Sequence, residues 1–291
     1  MYNYSVIIPH KNCVPLLQRC LDSIPVRDDI QVVVVDDAST LSPDEKTKME
    51  LLRSSRVQVL FLDTPHYAGG ARNKGMELAE GRWLVFADAD DFFTDNAFEV
   101  MDTWLHSDAD MIFFAHRSCY SDTLEPTCRS DERSGAVRDL SLNAGNRLAE
   151  DQLRYQNPVP WARMVRKELV DVHNLRFDSV RVSNDAMFAV YAGFYASKIA
   201  SDNRETYCVT VRKGSLTQVV SRESAYCRYE VAVRKYCFLR DHNLNHMLPW
   251  VTKRLWEALR NYGPSECMRY YRLACTHHVN IWLGITRRLH R

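Results

Sequence analysis

The stretch FADADDFF, residues 86–93, places Asp88, Asp90 and Asp91 directly after the apolar run WLVF (83–86). Three acids in so short a space are open to three readings. They could form a solvated turn, cap the positive end of a following helix, or seat a hard divalent cation through carboxylate oxygens. What lies upstream narrows the choice.

YSVIIP (4–9), QVVVVDD (31–37) and VQVLFL (57–62) are short, β-branched apolar runs, and WLVFAD (83–88) is a fourth. Such continuous runs read as strands buried on both faces. Helix-like segments separate them. Leu17, Cys20, Leu21 and Ile24 share one helical face; Ser42 and Pro43 mark a helix start; GGARNKGMELAEG (69–81) reads as a helix led by glycine and closed by Gly81. Thr94 is expected to cap a further helix, and ADMIFFA (109–115) gives a fifth strand. Alternating strands and helices predict an α/β fold with a mostly parallel, Rossmann-like sheet and helices on both faces. Ligands bind such sheets outside the carboxyl ends of the strands. Those ends are residues 9–12, 36–39, 63–70 and 88–91, and polar or acidic residues gather at each.

Beyond residue 115 the alternation weakens. Residues 118–150 are polar and loop-rich, VPWARMVRKELV (159–170) looks helical after Pro160, and YCVTVRKGS (207–215) reads as a strand entering a turn. From Ser224 onward the pattern is helical and basic: residues 225–291 hold 12 basic and 4 acidic side chains, leaving 26 and 33 in the rest. The formal net charge of +1 gives no global electrostatic case for a nucleic-acid partner. Nine cysteines without a C-x-x-C pair fit reduced thiols in the cytosol better than a disulfide framework. No window approaches the ~20 uninterrupted apolar residues of a membrane span.

Four segments in this order, SVIIPHKN, VVVVDDAST, GGARNKGMELAEGRWLVFADADD and VPWARMVRKELV…LRFDSVRVSNDAMF, resemble the family 2 glycosyltransferases of the GT-A fold. The resemblance spans roughly residues 4–220. It implies an inverting transfer of a sugar from a nucleotide diphosphate donor, a UDP-sugar by preference, to an acceptor hydroxyl in surface polysaccharide or glycan synthesis. It also implies Mn²⁺ or Mg²⁺ as cofactor, with Asp90 and Asp88 as its ligands and Asp88 alternatively serving the ribose. Pro9, His10, Asn12, Asp36, Asp37, Arg72, Asp88, Lys213 and Ser215 fall at its donor-binding positions. His10 departs from the family's usual tyrosine, a change that touches base stacking. Asp185 matches the general base, preceded by Asn184 where the family carries glutamate, with Phe188 at the expected spacing. Asp91 extends the acidic motif, Trp161 resembles a wall of the acceptor side, and Arg212 stands with Lys213 in a late phosphate-closing motif.

The expected organisation is a GT-A domain over 1–222, nucleotide-binding to about 115 and acceptor-binding from 116 to 222, followed by a basic, aromatic helical extension over 223–291. A saccharide or lipid-linked saccharide would be the acceptor. The extension, where Trp250, Trp256, Tyr270, Tyr271 and Trp282 alternate with arginines, offers an otherwise cytoplasmic protein a peripheral contact at the inner face of the membrane. The alternative is a non-catalytic nucleotide-sugar binder or assembly subunit on the same fold, supported by the missing acid at Asn184.

Overall fold

Strands β1 (Tyr4–His10) and β2 (Ile30–Asp36) are nearly all buried, as their β-branched sequences require. The computed structural model describes residues 1–127, 131–212 and 221–282. Helix α1 (Val14–Asp22) joins the first two strands; α2 (Pro43–Leu51), held by a Ser42–Glu45 capping box, leads to β3 (Val57–Phe61). Helix α3 (Tyr67–Leu78) then leads to β4 (Trp83–Phe86). These four strands pair in parallel in the order β3-β2-β1-β4, with Val6 opposite Val32 and Val85. Side chains alternate across the sheet. Val6, Ile8, Val32 and Val34 pack with Leu17 of α1 on one face, whereas Ile7, Leu84 and Phe86 pack with Met76 of α3 on the other. Gly75 permits that second contact, because a Cβ there would sit 2.4 Å from Ile7 Cγ2.

The second half completes the sheet with strands of both directions. After the two-residue β5 (Phe92–Phe93) come α4 (Ala97–Asp102), β6 (Met111–Tyr120), α5 (Asp131–Leu142) and α6 (Arg147–Tyr155). β7 (Arg163–Arg166), α7 (Lys167–Val172), α8 (Ala186–Tyr195) and β8 (Ile199–Val211) follow. β7 inserts antiparallel between β4 and β6, β6 pairs in parallel with β8, and β5 closes the edge antiparallel to β8. The sheet is therefore mixed, with four parallel and three antiparallel neighbouring pairs.

Helices α9 (Arg222–Asp241), α10 (Thr252–Tyr262) and α11 (Pro264–Thr276) build a third apolar cluster. It includes Tyr155 of α6 and Val190 of α8, so the C-terminal helices share their core with the sheet-covering ones. The acid of Glu266, fully buried between α9 and α11, is met by Arg222 and Arg269.

Three local expectations need correction. The segment 159–170 is not one helix: residues 163–166 form a strand, stabilised where Arg163 stacks over Phe113 (4.7 Å) and Arg166 over Trp83 (4.6 Å). Thr94 does not cap α4. Its hydroxyl donates to Glu205 O at 2.8 Å, tying the β5 turn to β8, and Asn96 holds the cap position. Helix α3 begins at Tyr67 and ends before Gly81, at Leu78.

Candidate active site

The carboxyl ends of β1, β2 and β4 lie on one edge, and side chains knit their loops together. Asp36 Oδ1 meets His10 Nδ1 at 2.6 Å and accepts Ser39 Oγ at 2.5 Å, and Asp36 Oδ2 accepts the Ser39 N–H at 2.9 Å. Burial depresses the His10 pKa, but Asp36 outweighs it and carries it to about 9. Against this, the Cys13 N–H reaches His10 Nε2 at 3.2 Å, which requires an unprotonated nitrogen there. We read the pair as a neutral ring donating from Nδ1, since the backbone contact is otherwise lost. Asn12 Oδ1 accepts the Thr40 N–H at 2.8 Å, and the Asn12 N–H donates to Ser39 Oγ at 2.9 Å. Pro9 lies within β1, opposite Val35.

Asp37 turns the other way. Its carboxylate accepts the N–H groups of His66 (2.5 Å) and Tyr67 (3.1 Å), satisfying donors that the start of α3 leaves without helical partners. Lys11 lies 3.3 Å from it. Asn12, Ala38 and Ser183 hold positive φ of 52°, 50° and 58° in loops of this region, and Tyr67 holds 60° at the first position of α3. Non-glycine residues rarely adopt that conformation, and clusters of it accompany binding sites.

The acidic triplet divides in two. Asp91 is buried, and its Oδ1 accepts the Thr210 N–H at 2.7 Å. Burial, reinforced by the charges of Asp88 and Asp90, pushes its carboxyl well above the ordinary range. Asp91 is thus a structural tie to β8. Asp88 and Asp90 instead keep about a third of their side chains exposed, at 34% and 33%. Burial, then repulsion from Asp88, raises Asp90, while Arg212 at 3.5 Å works against both. The turn between them is braced from beneath: Tyr207 OH accepts the Asp88 N–H at 2.8 Å, and Asp90 O accepts from Arg19 (2.6 Å) and Thr210 (2.8 Å).

Arg72 joins this turn to a distant segment. One guanidinium nitrogen donates to Asp88 Oδ1 at 2.5 Å and the other to Asn184 Oδ1 at 2.9 Å, while the plane lies 5.4 Å from the Phe177 ring. Phe177 stacks on Phe188 at 4.0 Å. Gly69, one turn earlier on α3, allows the approach, because a Cβ there would fall 2.0 Å from Asp178 O and 2.9 Å from Asn184 Cβ.

Asp185 occupies the N-cap position of α8, yet its side chain makes no capping hydrogen bond. Its carboxyl is raised, first by burial and also by Asp88, with Arg72 and Arg163 opposing. Arg163, fully buried, is in turn depressed to about 9 by its burial, with Asp185 favouring its charge. The structure therefore brings Asp88, Asp90, Arg72, Asn184 and Asp185 into one electrostatic neighbourhood. Lys213 and Ser215 lie outside the described residues. Trp161 is buried, stacked on Tyr207 at 5.4 Å and edge-on to His116 at 4.8 Å, so it braces the floor of the site.

Sequence reasoning missed Arg19, Arg163, Tyr207 and Thr210. Arg19 sits on α1, where only the apolar face carried a signal. Tyr207 and Thr210 belong to a run of β8, residues 206–210, that is buried throughout, a pattern that gives core packing as readily as a site.

The donor set bears on the cation. Among the described residues, no group of three or more His, Cys, Asp or Glu side chains could hold a metal ion. Two part-exposed carboxylates on one tight turn fit instead a hard dication that completes its shell with phosphate and water.

Residues 5–173 match the model of glycosyl transferase family 2. EpsH of Bacillus subtilis (strain 168) is 24% identical over 89% of this chain and 81% of its own length. Glycosyltransferase GlyG of Streptococcus pneumoniae serotype 4 is 26% identical over 73% and 72%. The chain spans 63% of the length of another relative, EpsJ of B. subtilis. Among solved structures, S. aureus TarS 1-349 in complex with UDP-GlcNAc superposes with a TM-score of 0.74 at 18% identity, over 95% of this chain and 80% of that one. The mannosyltransferase PcManGT from Pyrobaculum calidifontis, in complex with GDP-Man and Mn²⁺, gives 0.57 at 17% identity, over 94% and 80%. At such identities these likenesses speak to the fold, which is of the GT-A kind that the family resemblance implied. With more than half of its length matched by the family model, the chain is a glycosyltransferase of family 2.

Proposed function

We propose that the protein transfers a sugar from a UDP-sugar to an acceptor hydroxyl with inversion at the anomeric carbon, in the synthesis of a surface polysaccharide or related glycan. The observation that carries this reading is the Arg72 bridge between Asp88 and Asn184, which sets the Asp-x-Asp turn beside Asp185. Two structural neighbours, one solved with UDP-GlcNAc and one with GDP-Man and Mn²⁺, support a nucleotide-sugar donor and a dication.

Asp185 is the proposed base. An acceptor hydroxyl is far too weak an acid to ionise at neutral pH, so a carboxylate must take its proton as the new bond forms. The capping contact that Asp185 forgoes leaves its oxygens available for that proton, and its raised pKa increases its basicity. Arg72 and Arg212 place positive charge beside the turn where the diphosphate would leave. Asp88 and Asp90 would hold Mn²⁺ or Mg²⁺, which supplies Lewis-acid neutralisation of the leaving diphosphate. In this reading Asp36, Asp37, His10 and Asn12 shape the nucleoside pocket by fixing loop geometry, their polar atoms being largely engaged within the protein.

A cytoplasmic location is supported by the free cysteines, several of them buried, that the described residues contain. No helix among the described residues is long and apolar enough to cross a membrane. Peripheral contact is supported by Trp256 on α10 and Trp282 in the turn beyond α11, exposed at 64% and 65% in a basic extension, and it would suit a lipid-linked acceptor. Flotation with anionic vesicles tests that contact: protein that stays at the bottom of the gradient rules it out. Turnover is tested by UDP release from a panel of UDP-sugars and saccharide acceptors with Mn²⁺, comparing wild type with Asp185→Asn. Full activity in the variant removes Asp185 as base. Donor binding without turnover on any acceptor favours the non-catalytic alternative.

A further inference from the structure

Asn184 and Asp185 lie in a segment without helix or strand between Val172 and Ala186. Its position therefore depends on side-chain anchors, and they come from two sides. On one side is α3. Asn73 and Phe177 exchange hydrogen bonds, Asn73 Nδ2 to Phe177 O at 2.9 Å and Phe177 N to Asn73 Oδ1 at 2.8 Å, and Arg72 grips Asn184. On the other side is α9, from the C-terminal extension. Arg234 donates from both terminal nitrogens to the Asp178 carboxylate, at 2.8 and 3.1 Å. Cys227, two turns earlier on the same face of α9, lies 3.5 Å from Val182 O.

The loop closes on itself between these anchors. The Asp178 N–H donates to Asn184 O at 3.0 Å, so a displacement of Asp178 is passed directly to Asn184 and its neighbour Asp185. Helix α9 is a firm base for the grip. Phe238 packs edge-on against Tyr191 (4.9 Å) and Phe194 (5.2 Å) of α8, the helix that Asp185 begins.

We propose that Arg234 is a positioning residue for Asp185: its two-pronged hold on Asp178 makes the C-terminal extension a structural wall of the transfer site. The inference rests on Asp185 being the base. Arg234 is 46% exposed, and an ion pair so placed adds little to global stability. Loss of register at a reacting group, by contrast, costs rate steeply. The two roles are therefore separable by experiment.

The test uses the full chain as wild type, Asp185→Asn, Arg234→Gln, Arg234→Lys, and the charge-reversed pair Arg234→Asp with Asp178→Arg. Amide hydrogen exchange of peptides covering 177–186 is measured without substrate, beside UDP release from UDP-GlcNAc and UDP-glucose with Mn²⁺. Arg234→Gln is expected to speed exchange in 177–186 at least about fivefold and to lower kcat about tenfold, with donor KM within about twofold. Its melting temperature is expected to stay within about 2 °C of wild type. Lysine, a single-pronged cation, should recover part of the rate, and the reversed pair should return both readouts to within about threefold of wild type. Exchange and kcat within twofold of wild type in Arg234→Gln overturn the proposal. So does a loss that the reversed pair does not repair, or one that tracks a fallen melting temperature. Full activity in Asp185→Asn overturns the base itself, a separate result, and the exchange measurement then decides the tether alone.

Discussion

The hydroxyl of Tyr207, fully buried on β8, accepts the backbone N–H of Asp88 at 2.8 Å. One side chain thus fixes the turn that carries the acidic pair from below, and Trp161 stacked on it fixes the ring. Replacing Tyr207 with Phe would leave that N–H without its partner while keeping the packing. The expected result is a loss of about 1–3 kcal/mol in denaturant-derived stability and weaker UDP binding in the presence of Mn²⁺. Unchanged affinity would show that the turn holds its shape without the bond.

The raised pKa of Asp185 gives a pH signature. A base must be ionised, and burial disfavours the ionised form here. The rate of UDP release should therefore fall as pH drops through a value above the ordinary carboxylate range, and remain level above it. The kcat profile checks this, and an acid limb at ordinary carboxylate pH would argue that another group titrates.

Gly69 gives a steric prediction. A methyl there meets the Asp178 carbonyl, a backbone atom that cannot swing aside. Gly69→Ala should cost about 1–3 kcal/mol and lower kcat by displacing the 177–185 segment from α3, read by thermal melting and steady-state kinetics. Gly145, whose nearest neighbour is only a side-chain oxygen at 3.3 Å, is the control at which alanine should do little.

The four parallel strands were legible because their chemistry is local: short apolar runs, β-branched and buried on both faces in β1 and β2, each followed by polar residues at the same edge. The acidic turn was legible for the same reason. Strand β7 was not. Arg163 and Arg166 bracket only two apolar residues, and the segment becomes a central strand because Phe113 and Trp83 supply ring faces for both guanidinium groups. Those rings lie elsewhere in the chain, so no window of sequence holds the cause. The same holds for the site. Arg72 was visible as a candidate, but its bond to Asn184 and the grip of Arg234 on Asp178 exist only once α3, the 177–185 loop and α9 meet. Asp91 looked like its two neighbours in sequence, and burial alone sets it apart.

If Asp88 and Asp90 hold a dication that grips the donor's diphosphate, as proposed, calorimetric titration of UDP reads it out. Wild type and Asp90→Asn are each titrated with Mn²⁺ and again with chelator. Wild type is expected to bind at least about tenfold more tightly with Mn²⁺, and the variant to lose most of this gain. Equal affinity with and without the metal, or a full metal effect in Asp90→Asn, would contradict it.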